Sequence, residues 1–263
     1  MSDSLAVIVT IVGCVVLTAL IVGGAFWLTA WMERRQRAAA EAAGLLWLGA
    51  DRWRRDALLP DGERVRDVWL HARRETRTWG TPAVQYAAGG VLDGTGVTVF
   101  TVQYGSGRNT WYYDVVALDL PGPLQWLRLD RRATLGGLMR RTLHLDRNDI
   151  ALDSPWVADW SVRADDPLYA AALLTPGVGQ ALSGAEEMGG PVVHPGRGPE
   201  FAAVQWADEY IVDGPRLFAV SFRRMRRVAR NLYADVPAIT AALQGIVGRI
   251  DPWMWQRYAP LPA

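Results

Sequence analysis

Lysine is absent from this chain, and all 28 basic residues are arginine. That removes the phosphate-loop lysine, the Schiff-base amine and the kinase strand lysine together. A single cysteine, Cys14, excludes an intrachain disulfide framework and a cysteine-based zinc site. Histidine is scarce too, with three residues. His71, His144 and His194 lie far apart, with no spacing such as His-x-x-x-His, so no metal ligand set is expected. The net charge is only +1, which does not suit a dedicated nucleic-acid binder. Glycine-rich signatures are incomplete as well. Gly94-Thr95-Gly96 lacks the downstream helix of a dinucleotide loop, and Gly105-Ser106-Gly107 lacks the two spacer positions of a nucleophile elbow. No cofactor and no catalytic residue is assigned from the sequence.

Apolar residues, by contrast, are abundant. Half of the 263 residues are hydrophobic and 21% are charged, which excludes a largely disordered chain. No charge interrupts residues 5–32, a run of 28 that begins at Leu5 and closes at Met32. About 20 apolar residues suffice to cross the hydrocarbon core. Trp27 and Trp31 stand near the far end, where indole rings favour the interface. A cleaved signal peptide would need a basic start, a shorter apolar core and a small-residue cleavage site. Here the start is Met1-Ser2-Asp3-Ser4. The run is therefore expected to be a retained anchor in the lipid bilayer. Arg34, Arg35 and Arg37 follow it while only Asp3 precedes it, and positive flanks stay in the cytoplasm. The expectation is a single-pass protein of the cell membrane, with its N-terminus outside and the remainder cytoplasmic. Cys14 is read as a small apolar filler and Ala19/Gly23 as a weak small-residue pair.

Setting aside residues 1–32 as the anchor leaves 231 residues. Residues 33–80 are read as a juxtamembrane helix and linker. The alanine- and arginine-rich stretch 33–43 continues the helix and Gly44 breaks it. Trp47 and Trp53 then either lie on the inner leaflet or pack on the domain. The 33–80 segment holds 11 arginines against 8 acids, a balance of +3 beside the membrane. Residues 81–250 read as an α+β domain with a mostly antiparallel sheet packed with helices, and 251–263 as a tail. Residues 84–92 and 97–104 are rich in β-branched and aromatic side chains and should form a hairpin through Asp93-Gly94. Residues 110–120 should pair in turn with 97–104, and Pro121-Gly122-Pro123 should close that strand, with 124–129 a separate short piece. Further strands are expected over 153–162, 201–206 and 210–212. The Asp166-Pro167 step predicts a helix start with Asp166 as N-cap, ending before Pro176. Adjacent Asp165 and Asp166 are thus read as capping rather than catalytic.

Residues 217–234 carry Phe218, Phe222, Met225, Ala229 and Leu232 at spacings of three and four, which predicts an amphipathic helix. Arg223, Arg227 and Arg230 would lie on its other side, with Arg216 just upstream. These four are the candidate contact for anionic lipid or an acidic protein partner, with solvated surface charge as the plainer reading. A last helix is expected from Pro237 to Val247. Most of the thirteen tryptophans fall in strand-like runs, where core packing is the expected role.

Several stretches resemble a family of single-pass, membrane-anchored actinobacterial proteins of unknown function. They are Gly44-Leu45-Leu46-Trp47, then Val91 through Gly96 leading into Val99-Phe100-Thr101-Val102-Gln103-Tyr104. The likeness continues in Val116-Ala117-Leu118-Asp119-Leu120-Pro121-Gly122-Pro123-Leu124-Gln125-Trp126-Leu127 and in Trp160-Ser161-Val162-Arg163-Ala164-Asp165-Asp166-Pro167. It spans roughly residues 38–247 and implies an anchor plus an α+β domain, with no activity attached. The expectation is therefore a membrane-tethered, non-enzymatic binding or scaffolding module. A hydrolase-type enzyme with scattered site residues and a purely structural envelope protein are the alternatives. A deep pocket with converging polar groups of shifted pKa would favour the enzyme.

Overall fold

The computed structural model describes residues 2–49, 57–59, 61–74, 82–105, 110–131, 149–152, 160–183, 207–223 and 232–258. Helix α1, Ser2–Ala42, runs unbroken for 41 residues and is long and apolar enough to cross a membrane. Within it Thr18 Oγ1 donates to the Cys14 carbonyl at 2.8 Å, so that hydroxyl is satisfied by the helix itself. Gly44, at φ +77°, ends the helix as its sequence predicts.

Strands β1 (Leu46–Gly49), β2 (Ala83–Leu92), β3 (Thr95–Tyr104) and β4 (Trp111–Arg131) follow one another across one antiparallel sheet. The expected hairpin is present. Leu92 pairs with Thr95, and Asp93 and Gly94 both take positive φ, which matches the twist of a two-residue turn. Strand β4 is long enough to hold two neighbours in succession on one edge. These are β3 beside its first half and β5 (Trp160–Ala164) beside its last five residues. Its other edge carries β6 (Glu209–Arg223) along most of its length.

Helix α2 (Val65–Arg73) covers one face of this sheet. The end of α1, with α3 (Pro167–Leu173), α4 (Pro176–Ser183), α5 (Leu232–Val247) and α6 (Met254–Arg257), covers the other. Each face has its own core. Val99, Val116 and Ala219 belong to the α5 side, while Phe100, Val115 and Val220 belong to the α2 side. The architecture is α+β, as expected. Among the described tryptophans, Trp69 and Trp160 are fully buried, and Trp47 packs on Tyr86 and Tyr233 rather than standing free.

Four expectations are corrected. Residues 217–234 are not one helix, because Leu217 through Arg223 lie in β6. Leu217 and Ala219 face one core and Phe218 and Val220 the other, so the strand is apolar without alternation. The four-residue step from Phe218 to Phe222 therefore mimics a helical stripe. The second correction concerns Pro121-Gly122-Pro123, which does not close β4. The β4–β6 ladder jumps from Asp119↔Arg216 to Leu124↔Gly214, so the prolines sit in an irregularity that asks no N–H of them. The two extended pieces are one strand. Thirdly, the helix expected from Pro237, α5, includes Leu232 onward, with Pro237 inside it. Buried Leu232, Tyr233 and Val236 hold its first turn, which offsets the hydrogen bond that proline removes. Finally, Pro176 opens α4 rather than merely following a helix. Thr175 Oγ1 accepts from the Val178 N–H at 3.4 Å, the same cap-then-proline arrangement as Asp166-Pro167. The strand expected over 201–206, the start of the one expected over 153–162, and Trp53 lie outside the described residues.

The Asp166 cap is present. Its backbone is extended (φ −126°, ψ 117°) and its Oδ1 accepts from the Leu168 N–H at 2.8 Å. Asp166→Ala should therefore lower stability by about 1 kcal/mol. Urea unfolding of the detergent-solubilised chain reads this directly, and an unchanged midpoint would mean that the cap contributes nothing.

Candidate functional site

Helix α2 is placed by aromatic packing and buried charge. Trp69 lies fully buried on the sheet, edge-on to Phe100 at 5.9 Å, and its Nε1 donates to the Tyr104 hydroxyl at 2.9 Å. The last residue of the helix, Arg73, is also buried. Its guanidinium lies over Tyr113 at 4.3 Å and Trp69 at 5.0 Å, and meets Glu209 at 3.2 Å. Glu209 in turn lies 2.7 Å from Arg128 Nε, and Arg128 lies 3.1 Å from Asp130. Asp130 also binds Arg163. These groups share one face because Arg128 and Asp130 are two apart on β4, with Arg163 and Glu209 directly opposite them on β5 and β6. The helix C-terminus is held separately. Trp126 Nε1 donates to the Ala72 carbonyl at 2.7 Å, and Arg74, at φ 50°, lies over the Trp126 ring at 4.4 Å while gripping both oxygens of Asp165. The adjacent carboxylates expected to cap a helix thus divide the work: Asp166 caps and Asp165 pins α2.

A cleft opens between α2, the turn that precedes it and the bend of β6. Its volume is about 790 Å³, within the usual range for small-molecule and side-chain pockets. Asp61, Glu63, Asp67 and His71 line it from one side, and Asp213, Gly214 and Arg216 from the other. Arg216 reaches across, with Nη2 on Asp61 and Nη1 on Glu63, both at 3.1 Å. His71 Nε2 stands 3.6 Å from Asp213 Oδ2, close enough for electrostatic attraction but long for a hydrogen bond. Burial pushes the Asp213 carboxyl above the usual aspartate range and Asp165 adds to the rise, against the pull of His71, Arg74 and Arg216.

The cleft has the converging polar groups that would favour an enzyme. No serine, threonine, cysteine or tyrosine is among the described lining residues. Among the described residues, no group of three or more histidine, cysteine or carboxylate side chains is arranged to hold a metal ion.

The four candidate arginines do not share a helix face. Arg216 is a cleft residue, largely buried and engaged by two carboxylates. Arg223 ends β6 seven residues away, roughly 23 Å along the strand. Arg227, Arg230, His144 and His194 lie outside the described residues. Sequence reading missed Asp213, Glu209 and the pairing role of Arg73. Two signals for them were present. Val65, Trp69 and Ala72 recur at helical spacing within what reads as a linker, and Arg128 and Asp130 alternate with Leu127 and Leu129.

Asp213 yields a pH prediction. A carboxyl whose pKa is raised by folding binds its proton more tightly in the folded state. Its stabilising contribution is full below the unfolded aspartate pKa and is lost as pH rises through the raised value. Asp213→Asn, which cannot ionise, should therefore unfold at a higher urea midpoint than the parent at neutral pH. That advantage should shrink on acidification toward pH about 4. A parent–variant difference that is flat across pH would exclude a shifted Asp213.

No family model and no curated protein matches this chain. Among solved structures it is similar to the mycobacterial trehalose monomycolate transport factor A, TtfA, at 10% sequence identity and a TM-score of 0.45, the match covering 88% of this chain and 98% of that one.

Proposed function

We propose that this chain is a membrane-tethered binding module rather than an enzyme. Its anchor is α1, its N-terminus lies outside and its sheet domain faces the cytoplasm. The cleft beside α2 is its recognition site, and its ligand is a cationic group, the guanidinium or ammonium of a basic partner segment. The observation that carries this reading is the make-up of the cleft wall. Four carboxylates (Asp61, Glu63, Asp67 and Asp213) stand against two guanidiniums (Arg64 and Arg216), and no hydroxyl or thiol is among the described lining residues. Burial raises the Asp213 pKa, so ionising that carboxyl lowers stability, a cost that a bound cation would relieve. The wall itself is firm, because α2 is fixed by buried ion pairs and aromatic contacts on one flank and by Arg216 on the other. The orientation is supported by Arg34, Arg35 and Arg37 on the domain side of the anchor.

The binding reading is tested with the full chain in nanodiscs of uncharged lipid, titrated with an arginine-rich peptide and, separately, with a glutamate-rich one. The basic peptide should bind in a salt-sensitive manner, and the double variant Asp213→Asn, Asp67→Asn should weaken it by roughly tenfold, about 1.4 kcal/mol. Binding of the acidic peptide alone, or equal binding by parent and variant, would overturn the cleft assignment.

The orientation is tested with a Val91→Cys chain in which Cys14 is replaced by alanine. Val91 is exposed, so a thiol there is open to reagents on its own side of the membrane. An impermeant maleimide should leave it unlabelled in intact cells and label it after lysis. Labelling in intact cells would reverse the topology. Exchanging Arg34, Arg35 and Arg37 for glutamate should weaken the preference for the cytoplasmic side.

A further inference from the structure

The junction between anchor and domain contains no slack. Helix α1 does not end at the membrane boundary near Met32 but continues to Ala42. Its last turns are already part of the domain core, since Ala40 is completely buried and Ala39 and Ala43 pack against the same cluster. The helix then closes with a paired set of backbone hydrogen bonds. Leu45 N donates to the Ala40 carbonyl at 2.9 Å and Gly44 N to the Glu41 carbonyl at 3.0 Å. This is a Schellman termination, with glycine in the left-handed position where a Cβ is disfavoured. The accompanying apolar contact is supplied by buried Leu45 and Ala40 in one cluster. Strand β1 begins at the very next residue, where Leu46 already pairs with Gly89 of β2.

The sheet is shaped to receive this joint. A Cβ on Gly90 would fall 3.2 Å from the Gly44 carbonyl oxygen and 3.3 Å from Leu45 Cδ2, so its absence lets the helix-to-strand turn lie flat on β2. Leu92 closes the other side, 3.6 Å from where a Gly44 side chain would begin. From the last turn of α1 into β1 the chain is therefore held by backbone hydrogen bonds and core packing.

We infer that α1 and the sheet act as one rigid lever, so that tilt or rotation of the anchor in the bilayer reorients the whole domain and its cleft. The inference rests on α1 being a retained anchor. Its apolar run of 28 residues is roughly 42 Å long as a helix, against a hydrocarbon core of about 30 Å, so it must tilt or extend into the interface, and its tilt responds to bilayer thickness. A flexible leash would absorb that change. This joint transmits it. Thickness of the surrounding bilayer, or a partner helix lying against α1, then sets which way the cleft points.

The test uses the full chain with Cys14 replaced by alanine, reconstituted in nanodiscs and spin-labelled at Arg34→Cys and Val91→Cys. A second version carries four glycines inserted after Arg37. Pulsed dipolar spectroscopy should give one narrow distance distribution for the parent and a broad one for the insertion. A label at Val91 alone, read by energy transfer to a headgroup acceptor, should report different distances in short-chain and long-chain lipid for the parent. In the glycine-inserted chain those distances should converge. A second label pair inside the domain, Val91→Cys with Leu168→Cys, should keep its distance in both versions, so loss of folding is recognised as such. Equal distribution widths in parent and insertion, or a parent whose domain distance ignores lipid length, would overturn the lever. Failure of the parent to insert into nanodiscs at all would instead overturn the anchor reading beneath it.

Discussion

The face of the sheet that carries the cleft depends on a buried ion network: Arg73 from α2, Arg128 and Asp130 from β4, Arg163 from β5, and Glu209 from β6. Desolvating this many charges makes the network a poor source of net stability compared with apolar packing of the same volume. Its value lies in registry. Removing one buried partner costs about 3–5 kcal/mol because the other charge is stranded, so sliding α2 or shifting either strand by one residue is heavily penalised. Arg73 is doubly committed, since the rings of Trp69 and Tyr113 hold its guanidinium while Glu209 neutralises it. The network thus fixes where α2 stands, and α2 forms one wall of the cleft.

The opposite wall comes from an interruption. Strand β4 would pair with β6 without a break were it not for Pro121-Gly122-Pro123, which cannot supply a regular ladder. The pairing lapses between Asp119 and Leu124, and the facing segment of β6 bends at Gly214, whose φ of 54° suits glycine. That bend turns Asp213 and Arg216 outward together, toward Asp61, Glu63 and His71. Arg216 then ties the turn before α2 to the bend, so the cleft is closed at its base by the same residue that lines it. A local defect in one strand has become the shape of a cleft on its neighbour.

Anchor and cleft are coupled through the sheet. Helix α1, long and apolar enough to cross a membrane, ends in a Schellman turn lodged against Gly90 on β2, and β2 leads through β3 to the β4–β6 pair that bends at the cleft. Such an arrangement differs from a globular module on a leash, whose cleft samples all directions and whose encounter with a partner is governed by linker length alone. A domain held in one attitude to a bilayer would present its cleft at a defined height and angle.

Local chemistry that depends on neighbours in sequence was legible without a structure. An uncharged run of 28 residues lies within one unbroken helix, long and apolar enough to cross a membrane. Asp93-Gly94 between two β-rich runs makes a two-residue turn, and Asp166 before Pro167 caps a helix, because each rests on backbone preferences within a few residues. Residues 217–223 were not legible, because their periodicity reports burial, and a strand covered on both faces has none to report. Nor could Pro121-Gly122-Pro123 be told apart from a strand end, since only the lapse in pairing with β6 explains how the strand survives it. The cleft was hidden for a deeper reason. Arg73 and Glu209 are 136 residues apart, and Arg216 and Glu63 are 153 apart. A charge shows its sign in the sequence but not its partner or its burial. Which arginines were surface and which were structure was decided only when the sheet brought distant strands side by side.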